Sequence, residues 1–154
     1  MAHVRQQIRE AVATKLTGLT TTGSRVLVGR TRPLGAGYSP TLLVYTTPAA
    51  SGGQESVQRA SLDGLLERRM MLSVVGHVQE PSPCDDTLDD IAVEVETALA
   101  QALEDGDFLG LVKDLVLQST INQVDAEGDR HVGAIRLVFS VLYYTLENSP
   151  QTAA

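Results

Sequence analysis

In the stretch "HVGAIRLVFSVLYYT" (131–145), Ile135, Leu137, Phe139, Val141 and Tyr143 recur at every second position. Successive side chains of a strand point to opposite faces, so only an extended segment places all five on one buried side. A second run, "RRMMLSVVGHVQ" (68–79), has the same period. It puts Met70, Leu72, Val74 and Val78 on one face and Arg69, Met71, Ser73 and His77 on the other. Two long strands, each with one apolar face, call for a sheet with a second layer packed over that face.

That second layer is legible as two helices. Residues 3–17, "HVRQQIREAVATKLT", carry Val4, Ile8, Ala11, Val12 and Leu16 at helical spacing, and Gly18 is a natural stop. After "EPSPCDD", Asp86 or Thr87 is expected to cap a second helix. Its apolar stripe is Leu88, Ile91, Ala92, Val95, Ala98, Leu99 and Ala102, and "EDGDFLGLVKD" offers a short extra helical turn. Further strands are expected at 25–30, 41–47 and 115–124. The small, polar segment 48–64 is expected to be a mobile loop. The expectation is therefore one α+β domain, ordered over about 3–146 of 154 residues. It has a four- to five-stranded, mainly antiparallel sheet with two main helices packed on it, in the order α-β-β-β-α-β-β.

Several function classes are disfavoured by composition. With pI about 4.8, 4% aromatic residues and no tryptophan, the chain lacks the basic stripe and stacking platform of nucleic-acid binders. It has no long apolar run for a membrane span and no signal-peptide pattern, so it is expected to be soluble and made in a cytoplasm. The net charge of −7 is unevenly divided. Residues 1–80 hold nine Lys/Arg against five Asp/Glu, a net +4, whereas residues 81–154 hold three against fourteen, a net −11. Opposite charge on two surfaces of one protomer suits head-to-tail association of identical copies.

Catalytic and cofactor signatures are missing. "GRTRPLGAGYSP" (29–40) has the glycines of a phosphate loop, but Tyr38-Ser39-Pro40 and then a strand follow, where a P-loop needs Lys-Ser/Thr and a helix. Gly35 and Gly37 are better explained as turn residues. His3, His77 and His131 have no metal-ligand spacing, and no Gly-x-Ser-x-Gly elbow is present. Cys84, the only cysteine, stands beside two aspartates that disfavour its thiolate. Asp85, Asp86, Asp89 and Asp90 suit a helix N-terminus rather than a metal site. Asp86, Asp90 and Glu94 also stack at i, i+4 and i+8 opposite the apolar stripe, on the outward face that carries Val93 and Ala100. That face is either solvated or an acidic docking surface.

The run "GRTRPLGAGYSPTLLVYTT", with Arg32-Pro33, Tyr38-Ser39-Pro40 and Val44-Tyr45, resembles the tail terminator proteins of long-tailed bacteriophages. The order of elements is similar too, down to the final "VFSVLYYT" strand, and the resemblance spans about residues 3–146. It implies a structural virion protein: a hexameric ring at the head-proximal end of the tail tube, which stops tube polymerisation and presents a surface for joining the head. Its partners would be copies of itself, the tube protein and a neck or connector protein, with DNA only passing through the lumen. No catalytic residue, metal or cofactor is implied. A neck or head-completion protein of the same machinery is the alternative. The candidate contact residues, between subunits or with partners, are Arg30, Arg32, Tyr38, Arg68, Arg69, Asp86, Asp90, Val93 and Glu94. The "SGGQESVQRASLDG" loop departs from the family pattern.

Overall fold

The structure is a computed structural model that describes residues 2–28, 40–46, 55–127 and 130–154. Helix α1 (Val4–Leu16) is followed by strands β1 (Val26–Val28), β2 (Thr41–Thr46), β3 (Ser56–Arg59) and β4 (Leu65–Glu80). Helix α2 (Asp85–Glu104) then leads to β5 (Asp114–Glu127), β6 (Arg130–Leu146) and β7 (Ser149–Ala153). The sheet runs β1-β2-β4-β6-β5, with β3 added to β4 and β7 to β6. It is mixed: β1 and β2 are parallel and every other pairing is antiparallel.

The long alternating segments form the centre of the sheet. β4 pairs with β6 along its whole length, from Leu65↔Leu146 to Glu80↔His131. Met70, Leu72, Val74 and Val78 of β4 are buried on the same side as Ile135, Leu137, Phe139, Val141 and Tyr143 of β6. Both helices press their apolar stripes onto that side: Val4, Ile8, Val12 and Leu16 from α1, and Leu88, Ile91, Val95, Leu99 and Ala102 from α2. Among the described residues no helix covers the other face.

Two glycines set how closely α2 approaches. A Cβ on Gly76 would lie 2.8 Å from Ile91 Cγ2, and one on Gly133 would lie 2.6 Å from Cys84 Sγ and 3.0 Å from Leu88 Cδ1. Cys84 is fully buried, and burial raises its thiol pKa, with Glu80 and Asp85 adding to the rise.

The α+β class and the two helices agree with the expectation, but among the described residues the sheet has seven strands rather than four or five. The segment expected as the loop 48–64 contains β3, and its residues 48–54 lie outside the described ones. All four residues of β3 are exposed, so the strand is held by backbone pairing to β4 and leaves no apolar periodicity in the sequence. β7 likewise has no apolar alternation and follows β6 after a tight turn. Neither Asp86 nor Thr87 caps α2. The N-cap is Cys84, whose side chain makes no capping bond, and the Thr87 hydroxyl donates to Glu80 Oε1 at 3.0 Å. Residues 105–110 form turns rather than a helical extension, with Phe108 inserted into the core.

Gly133→Ala is expected to destabilise the fold by about 1–3 kcal/mol, because the added methyl overpacks a closed contact. Urea denaturation measures the loss, and Cys84→Ala in the same chain is expected to restore part of it by vacating the space that Sγ fills.

Candidate functional site

Among the described residues, the candidate contact residues fall into two groups, one on β4 and one on α2. Arg30, Arg32 and Tyr38 lie outside the described residues. Arg68 and Arg69 are neighbours on β4, and Asp86, Asp90, Val93 and Glu94 follow one another along α2.

Arg68 is engaged within its own chain. Its Nε donates to Thr145 Oγ1 at 2.9 Å, and its Nη1 lies 3.5 Å from Glu55 Oε2. Glu55 is the hub of this cluster, with a side chain only 8% exposed. It accepts from Arg5 Nη1 at 2.7 Å and from the Tyr143 hydroxyl. The cluster thus ties the start of α1 to β4, to β6 and to the residue just before β3. Burial, together with the hydrogen bond to Glu55, pushes the Tyr143 hydroxyl pKa well above its ordinary value. The polar sequence around Glu55 gives no hint of this role, because the partners come from segments far away along the chain. Arg69, by contrast, has a side chain 55% exposed, and its Nε lies 3.3 Å from Glu67 Oε1.

On α2 the acidic stack divides. Asp86 and Asp90 are exposed, and Val93 is 63% exposed. Glu94 is half-buried and accepts from the Thr21 backbone N–H at 2.9 Å and from the Thr21 hydroxyl. The turn after α1 therefore folds over the helix at Glu94, so this carboxylate anchors α1 to α2 rather than facing solvent. Asp90 and Val93 border an open depression of about 310 Å³ with Thr20, Thr21 and Glu94. A second open groove, of about 580 Å³, runs between α2 and β5 and includes Glu96, Leu103, Glu104 and Leu115. Neither resembles the enclosed, mainly apolar pocket with convergent polar groups that small-molecule sites use.

The histidines stay apart. His3 Nδ1 accepts from the Arg5 backbone N–H at 3.0 Å and caps α1. Its pKa is lowered first by burial and then by Arg5 and Arg68, with Glu55 opposing. His77 is half-buried on β4, and burial lowers its pKa. Among the described residues no three His, Cys, Asp or Glu side chains are grouped to hold a metal, and no helix is long and apolar enough to cross a membrane.

Comparison with known proteins finds no matching family model and no matching curated protein. Among solved structures, a chain from the virion of a native gene transfer agent particle is similar over 93% of this chain and 92% of that one. The two are 18% identical and superpose with a TM-score of 0.51, a likeness of fold.

Two outcomes follow from these interactions. Glu55→Ala is expected to cost about 3–5 kcal/mol by leaving Arg68 buried without its counter-charge. Pairing it with Arg68→Met is expected to recover part of that loss in thermal unfolding. Because His3 and His77 hold their protons less readily when folded, the unfolded chain binds more protons below about pH 6.5. Stability is therefore expected to fall as the pH drops through and below that value. A His77→Asn variant is expected to show a shallower decline in melting temperature.

Proposed function

We propose that this chain is a structural virion protein that forms a ring at the head-proximal end of a phage-like tail. There the ring stops polymerisation of the tube and offers the surface to which the head joins. The carrying observation is the fold likeness to a virion chain of a gene transfer agent, which extends over more than nine-tenths of both chains. The resemblance of residues 29–47 and of the element order to tail terminators narrows the reading from virion protein to tail cap.

Physical features of the chain support a role in assembly. The division of charge between residues 1–80 and 81–154 favours contacts between unlike surfaces of identical copies, which close into a ring when the rotation allows. A net charge of −7 also suits a lumen through which DNA slides without sticking, since the phosphate backbone is repelled rather than bound. Such a ring works by shape and binding alone, so the reading assigns the chain no catalytic group and no cofactor.

A terminator must bind the growing end of the tube better than the next tube ring does. Without it, that end keeps presenting a complementary surface in a non-closing stack. Particles assembled without this protein are expected to yield filled heads lacking tails, together with separate tubes of irregular and often excessive length in electron micrographs. Purified protein added during polymerisation is expected to restore tube length, and protein added afterwards to cap overlong tubes without shortening them. Tubes of normal length that merely fail to join heads would assign the chain to the neck instead.

A further inference from the structure

The β5 margin of the sheet combines an open strand edge with a groove of one charge sign. β5 is the last strand of the order β1-β2-β4-β6-β5, and among the described residues nothing pairs with its outer side. It contains neither Lys nor Pro, the usual guards of a free edge. Such an edge offers a row of backbone N–H and C=O groups to an incoming strand. Val116 and Ile121, opposite Ser140 and Arg136 of β6, lie on the sheet face away from the helices and are 45% and 55% exposed.

On the helix side, the groove of about 580 Å³ between α2 and β5 has Leu103 and Leu115 as apolar lining and Glu96 and Glu104 as acids. Successive helical residues turn by about 100°, which puts Glu96 and Leu103 on the flank of α2 opposite Glu94. Glu94 is held by Thr21, whereas Glu96 and Glu104 have no hydrogen-bond or ion-pair partner among the described residues. α2 carries seven Asp/Glu and no Lys or Arg, and β5 has no Lys or Arg either. The groove therefore holds two carboxylates that the chain leaves without counter-charges. The other face of the margin differs, because there Arg136 stands beside Ile121.

We infer that this margin receives an extended segment of a partner protein in which Lys or Arg alternates with aliphatic residues. The segment adds a strand about 4.8 Å beyond β5, and its backbone takes up the open hydrogen-bonding groups. Alternation then sorts its side chains. Basic ones on the helix side lay their stems over Leu103 and Leu115 and bring their charges to Glu96 and Glu104. Aliphatic ones on the other face cover Val116 and Ile121 and keep like charge away from Arg136. The occupant is another protein rather than a copy, because among the described residues this chain has no free strand of that pattern. β1 is Val-Leu-Val, and the one basic residue of β3, Arg59, is held by Glu147. The inference goes beyond the ring reading and does not depend on it.

A synthetic peptide of alternating valine and lysine, titrated into the full chain at low salt, tests this. It is expected to bind and to slow amide hydrogen exchange in β5, whereas a peptide of alternating valine and glutamate is expected not to bind. Glu96→Lys combined with Glu104→Lys is expected to weaken binding by about three- to tenfold with unchanged circular dichroism. Methylating every backbone nitrogen of the peptide is expected to abolish the protection of β5. Failure of the valine-lysine peptide to bind, binding that leaves β5 exchange unchanged, or binding undiminished by the double substitution would overturn the inference. So would a chain that self-associates with β5 already protected before peptide is added, which would give the margin to a second copy.

Discussion

The pairing of β4 with β6 is the constraint on which the rest of the structure depends. Each strand buries every second side chain along its middle, from Met70 to Val78 in β4 and from Ile135 to Tyr143 in β6, and the register brings those faces together on one side of the sheet. A slip of one residue would turn Met70, Leu72 and Val74 away from the core while their partners stayed in it. Gly76 and Gly133 stand in this pair where Ile91, Cys84 and Leu88 descend from α2, so the same two strands fix the height of the helix above the sheet. Every further strand then attaches to β4 or β6, except β1, which attaches through β2.

What the sequence makes legible follows from this dependence on burial. The faces of α1, α2, β4 and β6 appear in the residue pattern because each buries a regular stripe, and those stripes are the observed core. β3 and β7 are invisible by the same criterion, since they join through backbone hydrogen bonds and bury little. Glu94 illustrates a different gap. Its helical position points away from the stripe, but the Thr20–Thr21 turn arrives over it from another part of the chain and captures the carboxylate. Glu55 is the stronger case, because a lone glutamate in a polar stretch becomes nearly buried once Arg5, Arg68 and Tyr143 converge on it. Only tertiary packing creates either role.

Electrostatics is thus used at two levels. Inside the chain, Glu55 and Glu94 each join segments far apart in sequence, where partial burial strengthens the interaction. On the surface, Asp86, Asp90 and Asp114 remain exposed, as does half of Arg69, and charge of this kind steers association and tunes it with salt more than it stabilises the fold.

In the proposed function, copies of this chain meet through unlike surfaces and stop at a fixed number. Native mass measurement at rising protein concentration and low salt tests this most directly. It is expected to show monomer giving way to one closed species of six chains, and to show that species retreating as salt is raised. A chain that remains monomeric throughout, or one that builds an open-ended series of sizes with no preferred number, would contradict it.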